Sequence, residues 1–346
     1  MPPIILPRKS DQKPLVSVLS IAYNHEQYIR DHLDGFLKQK IDFPVEVIVH
    51  DDASTDHTPD IIREYYEKRP DLFHVILQQD NQHSQHIPIW PQLFRIAQGK
   101  YIAMCEGDDF WTNPLKLQKQ FDFMEKNRDY VMCFGGTMVF VQSKNTYYSN
   151  HFFLRSREIR TKDYLLGGPT LTCTSFLLKE TLDKYLEWRN NNSLKTRRIG
   201  DTPLLIFFTT QGKCYYDNEV FACYRLLNQS ASHGSLQTRL SFFRENTHIK
   251  LFLNKKLNIN FPNKKIMFNH ITSVAKELMK SDGNNMDEIK RLKRICRFYQ
   301  SSFWDRITLA ALVFAAENPL IYKTYRKWLL NFKVIALKII KPHNCV

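Results

Sequence analysis

Three short apolar runs, Leu15–Ala22, Val45–Val49 and Tyr101–Cys105, each stop at a polar or acidic turn, and each is followed by a stretch with helical spacing. Runs of this length and type read as buried strands. Ile29, Leu33, Phe36 and Leu37 give the first following helix an apolar face, and Asn24 with Gln27 has the spacing of a capping box before it. Thr58-Pro59 opens the second helix, with proline at its favoured first position and Asp60 in the first turn. A third short strand, Phe73–Leu77, and a helix near Gln92–Ala97 complete the first half. This alternation predicts an α/β fold: a doubly wound, mostly parallel sheet flanked by helices. Later elements are a helix from Asn113-Pro114 with Leu117, Phe121 and Met124 inward, and a strand at Val131–Val141. A turn at Gly167–Thr170 leads into Leu171–Leu178, a helix starts near Asp201, and Tyr215–Tyr224 holds one or two strands.

Parallel strands bring their carboxyl ends to one edge, where open α/β sheets collect ligands. Tyr23-Asn24, Asp51-Asp52 and Glu106-Gly107-Asp108-Asp109 therefore converge on one crevice. Gly107 allows a sharp turn between the acids. Clustered carboxylates repel one another unless a cation lies between them, and a hard divalent ion is the usual partner. The plainer reading is a polar turn that closes a strand. No Gly-x-Gly-x-x-Gly follows the first strand, and no glycine-rich loop ends in Gly-Lys-Ser/Thr. Those two phosphate cradles are excluded, so a phosphate bound here needs a cation instead.

The formal net charge of +14 and pI near 9.3 favour an anionic partner: nucleic acid, a phosphorylated small molecule or an anionic membrane face. Cys105, Cys133, Cys173, Cys214, Cys223, Cys296 and Cys345 form no Cys-x-x-Cys pair, which points to a reducing compartment rather than a disulfide framework or zinc ribbon. Residues 1–13 are expected to be a flexible proline-rich lead, not a signal peptide. The longest nearly uncharged apolar run, Ile307–Ala316, is shorter than the ~20 residues a bilayer needs. A cytoplasmic protein is expected. Past Gly234, glycine thins and lysine and arginine rise, so the chain is divided into residues 14–235 and a basic helical region, 236–346. Lys323, Lys327, Lys338 and Lys341 share one helical face there, beside Trp328, Leu329, Phe332, Ile335 and Ile339. Such a helix suits the cytoplasmic face of the inner membrane, packing on the preceding domain, or a homo-oligomer.

Val16–Asn24, the turn Asp51-Asp52-Ala53-Ser54-Thr55-Asp56 and Glu106-Gly107-Asp108-Asp109 together resemble a family 2 bacterial glycosyltransferase with the GT-A fold. Asp108-Asp109-Phe110-Trp111 followed by Asn113-Pro114-Leu115-Lys116-Leu117-Gln118-Lys119-Gln120 resembles the branch that builds lipooligosaccharide, O-antigen or capsule. Gly200-Asp201-Thr202-Pro203-Leu204 and Tyr224-Arg225 are similar to its later motifs, so the likeness spans roughly residues 14–235.

The resemblance implies a nucleotide-sugar donor, UDP above all, a glycan or lipid-linked glycan acceptor, and Mn²⁺ or Mg²⁺ as cofactor. It implies that Tyr23, Asn24 and Glu26 lie along the nucleotide, with Asp51 or Asp52 on uracil and ribose; both aspartates also suit turn capping. Asp108 would be nearest the metal, with Glu106 and Asp109 orienting ribose, sugar or metal-bound water. The chain departs from the commoner pattern by placing Glu106 where Asp is usual. Asp201 is the implied catalytic base, although its spacing alone suits a helix N-cap. Arg225 would close over the diphosphate. Trp111 could stack on a sugar or pack beneath the site, and Thr172, Cys173 and Thr174 would wall the acceptor pocket or belong to the core. A nucleotidyltransferase would carry a basic glycine-rich loop where Tyr23-Asn24-His25-Glu26 stands. A nucleic-acid-binding module would interleave basic and aromatic residues where acids stand here, so no nucleic acid is expected. A glycoside hydrolase would need two carboxylates and no nucleotide pocket.

Overall fold

The computed structural model describes residues 2–150, 153, 155–168, 172–194, 200–227, 235–280 and 287–290. The strands are β1 (Ile4–Leu6), β2 (Val16–Ala22), β3 (Val45–Asp51), β4 (Phe73–Leu77), β5 (Tyr101–Glu106), β6 (Phe110–Trp111), β7 (Tyr130–Val141), β8 (Thr146–Asn150), β9 (Arg157–Ile159), β10 (Phe176–Leu178) and β11 (Lys213–Leu226). The helices are α1 (Ile29–Leu37), α2 (Thr58–Lys68), α3 (Trp90–Ile96), α4 (Lys116–Lys126), α5 (Thr161–Leu165), α6 (Lys179–Asn191), α7 (Asp201–Gln211), α8 (Leu236–Lys256) and α9 (Asn263–Lys280). The strands join one sheet in the order β1-β4-β3-β2-β5-β10-β7-β11-β6, with β8 on β7 and β9 on β11.

β2, β3, β4 and β5 are parallel neighbours, and β7 pairs parallel with β11. β10 runs antiparallel to both β5 and β7, so all six longer core strands point the same way. Every residue of β3 is buried, as a strand covered on both faces requires. Helix α1 presses Ile29, Leu33 and Phe36 into the core. Its approach to β6 is close: a Cβ on Gly35 would lie 3.0 Å from the Trp111 nitrogen. At the opposite edge from the acids, buried Glu46 accepts from the Ser17 hydroxyl (2.5 Å) and from the Gln98 N–H (2.7 Å), which fixes the entry to β5.

Four sequence expectations change. The first thirteen residues are not a free lead: β1 pairs antiparallel with β4, and Tyr66 donates to the Pro7 carbonyl at 2.9 Å. Asn24 and Gln27 form no capping box, because α1 starts at Ile29 without a side-chain cap. The stretch after residue 171 is a short 3₁₀ turn, Thr172–Thr174, and then antiparallel β10. Tyr215–Tyr224 lies inside one long strand, β11, whose pairing with β7 shifts register near Asp217 and Val220.

The chain forms two compact units, residues 1–230 with 255–259, and residues 231–254 with 260–346. In the second unit α8 and α9 are tied by Arg239–Glu277 (2.7 Å) and by the buried pair Thr247–His270 (3.0 Å). The turn between them is closed by Asn254, which donates to the Phe261 carbonyl (2.7 Å) and accepts from its N–H (3.0 Å). The lysine-rich face at 323–341, the run Ile307–Ala316, and Pro169 and Thr170 lie outside the described residues. Among the described residues, no helix is long and apolar enough to cross a membrane.

Candidate active site

Glu106 ends β5, and the chain turns back at once. The Gly107 N–H donates to the Ile21 carbonyl and the Asp109 N–H to the Glu106 carbonyl, both at 2.9 Å. A side chain at position 107 would have no room: its Cβ would lie 2.8 Å from His25 Nδ1 and 3.1 Å from the Ile21 oxygen. Glycine is therefore demanded by proximity, and the acids are drawn against the end of β2. β6 follows and pairs with β11 through Trp111–Ala222 and Phe110–Cys223.

A strap of three residues backs this turn. The Thr172 hydroxyl lies beside the Glu106 carboxylate and the Cys173 thiol beside that of Asp109, each favouring the charged form. The strap is itself pinned: Trp111 Nε1 donates to the Cys173 carbonyl at 2.8 Å, and Gln120 Nε2 to the Thr174 carbonyl at 2.9 Å. Gln120 also takes the Lys116 ammonium (2.8 Å), which lies 4.0 Å over the Trp111 ring. Trp111 is 4 % exposed, with Phe36 against it edge-on at 4.6 Å. Its faces are thus occupied, and it packs beneath the site instead of stacking on a sugar. Cys173 and Thr174 are buried too, Thr174 donating to the Gly135 carbonyl at 3.2 Å. These three residues are buried and pack behind the acids. Thr172 alone of the expected wall is partly open, and its hydroxyl serves Glu106.

The loops after β2 and β3 are zipped together. Asn24 Oδ1 accepts the Thr55 N–H (2.8 Å), and the Asn24 N–H donates to the Ser54 hydroxyl (2.8 Å). The Glu26 N–H donates to Asp56 (3.1 Å), while the Glu26 carboxylate accepts the His57 N–H (3.1 Å). Asn24 and Glu26 thereby shape the rim, and Tyr23, 44 % exposed, projects from it. Asp51 accepts both the N–H (3.0 Å) and the hydroxyl (2.5 Å) of Ser54. Asp52 accepts the N–H groups of Gln82 (2.7 Å) and His83 (3.0 Å). Both aspartates close turns. Burial raises the pKa of Asp51, whereas at Asp52 the hydrogen bonds outweigh burial and lower it.

Two residues that the sequence reading passed over also reach the turn. His32 on α1 is fully buried, with Nδ1 2.7 Å from the Asp109 carbonyl and Nε2 2.6 Å from the Ser20 hydroxyl. Its signal was a polar residue inside the stripe Ile29, Leu33, Phe36. His25, with its Nδ1 buried and unpartnered, lies against Gly107, and burial lowers its pKa against the pull of Asp108 and Asp56.

The Arg225 N–H donates to Asp109 Oδ1 at 2.8 Å. Its guanidinium is buried among Phe110 (4.7 Å), Tyr28 (5.2 Å) and Phe140 (5.7 Å), and it is ion-paired with Asp31. Arg225 is thus a buttress with a carboxylate partner already in place. Asp201 is the first residue of α7, and its Oδ1 accepts the Thr202 N–H at 2.7 Å. It lies near enough to Glu106 for its charge to help raise the Glu106 pKa.

Burial, and then repulsion from Asp108 and Asp201, push Glu106 up to about 7 despite the Thr172 hydroxyl. Burial, Asp108 and Glu106 likewise raise Asp109 well above the carboxylate range. Glu106 Oε2 is buried without a hydrogen-bond partner. Among the described residues no three His, Cys, Asp or Glu side chains assemble a complete metal cage. Glu106, with its unpartnered oxygen, and Asp108 remain as carboxylate donors, so a divalent ion held here would need phosphate oxygens and water to complete its shell.

Comparison with known proteins places this geometry. Residues 17–186 match the family described as "Glycosyl transferase family 2". A Bacillus subtilis protein named for teichuronic acid biosynthesis, the glycosyltransferase TuaG, is 32% identical over 223 residues, 64% of this chain and 82% of that protein. The chain belongs to glycosyl transferase family 2. An uncharacterized Mycobacterium tuberculosis protein is 49% identical over 121 residues, but the shared stretch spans only 34% of that relative's length. The fold of this family 2 chain is also that of S. aureus TarS 1–349, crystallised with UDP: TM-score 0.54, 17% identity, covering 90% of this chain and 91% of that one.

Proposed function

We propose that this family 2 chain is an inverting, divalent-metal-dependent glycosyltransferase. It moves a sugar from a nucleotide sugar, most simply a UDP-sugar, to a hydroxyl of a surface-glycan acceptor at the cytoplasmic face of the membrane. One observation carries the reading: Glu106, Asp108 and Asp109 share a turn beyond the parallel strand ends, with a buried carboxylate oxygen left unpartnered and Asp201 within electrostatic reach. A structural turn would spend its carboxylates on N–H groups, as Asp51 and Asp52 do.

In this reading Tyr23 and the zipped loops form the floor for the nucleotide, and the remaining lone pairs of Asp51 and Asp52 face base and ribose. Asp108 and Glu106 would hold Mn²⁺ or Mg²⁺, which supplies positive charge to the departing diphosphate. Asp109 keeps its own carboxylate on the Arg225 N–H, so it fixes the turn in place. Asp201, at the positive end of α7, accepts the proton of the acceptor hydroxyl as that oxygen attacks the anomeric carbon. With one base and one leaving-group stabiliser, a single displacement inverts the anomeric centre.

The test is calorimetric titration of UDP, GDP and dTDP, each with and without Mn²⁺, into the wild type and Asp108→Ala. The expected result is Mn²⁺-dependent binding of UDP in preference to the others, abolished by the substitution. If no nucleotide binds with or without metal, the proposal fails.

A further inference from the structure

The buried stripe of α1 contains one imidazole, and both of its nitrogens are used. His32 Nδ1 lies 2.7 Å from the Asp109 carbonyl oxygen. A carbonyl can only accept, so Nδ1 carries the proton. In the neutral ring Nε2 is then the acceptor, and its partner is the Ser20 hydroxyl at 2.6 Å. The ring thus has one tautomer and spans from strand β2 to the acidic turn. Its orientation is fixed by Phe36 at 4.4 Å, edge-on, which in turn meets Trp111.

Other bonds at the turn leave this one its own task. The Gly107 N–H is held by Ile21, the Asp109 N–H by Glu106, and the Asp109 carboxylate by Arg225. The Asp109 carbonyl is held by His32, from a helix on the other side of β6 and 77 residues away in sequence. We infer that His32 is a positioning residue: by holding the Asp109 carbonyl it fixes the backbone of the acidic turn, and with it the direction in which the Asp108 carboxylate faces. An aliphatic residue would fill the core equally well but leave the Asp109 carbonyl unheld. The consequence for donor binding rests on the proposed function; the positioning itself does not.

Three variants of the full chain separate positioning from mere core packing. His32→Leu removes both bonds. His32→Gln keeps one N–H end and one carbonyl end, and so can bridge the same partners. Ser20→Ala removes only the scaffold end. Hydrogen exchange of the segment Glu106–Trp111 is expected to be about tenfold faster in His32→Leu, and close to wild type in the other two. Affinity for UDP with Mn²⁺ should fall about tenfold or more in His32→Leu and recover to within about threefold in His32→Gln. Equal effects of His32→Leu and Ser20→Ala at matched stability, or a folded His32→Gln that recovers nothing, overturn the inference. Nitrogen NMR of the wild type decides independently of any variant: a protected Nδ1–H supports the inference, and the Nε2–H tautomer overturns it. If the wild type binds no nucleotide, the functional proposal falls, while the exchange and NMR results still judge His32.

Discussion

Glu106 is the residue whose ionisation the fold opposes most legibly. Its pKa stands near 7 in the folded chain, above its ordinary 4.5. The native state therefore binds a proton that the unfolded chain releases, and stability falls as pH rises from about 4.5 through 7. Above pH 7 the penalty is fully present. Glu106→Gln is expected to raise unfolding free energy by as much as about 3 kcal/mol at pH 8 and to lose that advantage toward pH 4.5. Urea midpoints at both pH values check this; parallel pH profiles of wild type and variant would contradict it. Trp111 teaches the opposite lesson. In sequence it stands two residues beyond the acids and suits a sugar platform. The three-dimensional partners that bury it, Lys116, Phe36 and Cys173, come from elsewhere in the chain. Trp111→Phe leaves the Cys173 carbonyl unpaired and should cost about 1–3 kcal/mol, with any rise in donor KM accompanied by that loss of stability. A KM rise without loss of stability would restore the platform reading.

At the scale of elements, the parallel strands and the convergence of their polar ends were legible because each is written in a local run of residues. The rest depends on partners distant in sequence. β1 is three residues among prolines, visible only once β4 offers an edge. β10 and β11 close the sheet through pairings between segments far apart, and no periodicity announces them. Asn24 has the residue type of a helix cap, but the neighbouring loop competes for its side chain and wins it through Thr55. The acid turn was read correctly as a glycine turn, although proximity, not a left-handed backbone, is what demands the glycine. Gly107→Ala should therefore destabilise the chain by about 1–3 kcal/mol through overpacking and weaken UDP–Mn²⁺ binding, because His25 and the end of β2 must give way. Gly200→Ala, where a Cβ meets nothing within 4 Å, is the matched control and should be tolerated. Chemical denaturation of the two variants gives the comparison; equal losses would mean that the contact at Gly107 does not matter.

For the molecule as a whole, the charge asks for an explanation that the site does not give. The crevice is acidic, yet the chain carries a formal +14. A metal and a diphosphate answer the acids, not the lysines. All of that excess falls in the basic region past residue 235, the preceding residues being balanced, and there Lys323, Lys327, Lys338 and Lys341 recur at helical spacing beside Trp328, Leu329 and Phe332. Basic residues near an anionic leaflet contribute about 1 kcal/mol each and lose it within a Debye length. A lipid-linked acceptor would be presented at such a surface, so the same charge that docks the chain would concentrate it on its substrate. The full chain should co-sediment with vesicles containing anionic phospholipid and not with neutral ones, and about 0.5 M salt should release most of it. Lys323→Glu with Lys327→Glu should weaken vesicle binding without altering UDP–Mn²⁺ affinity. Equal binding to neutral vesicles, or indifference to salt, would assign this basic stretch to packing or to a second copy of the chain instead.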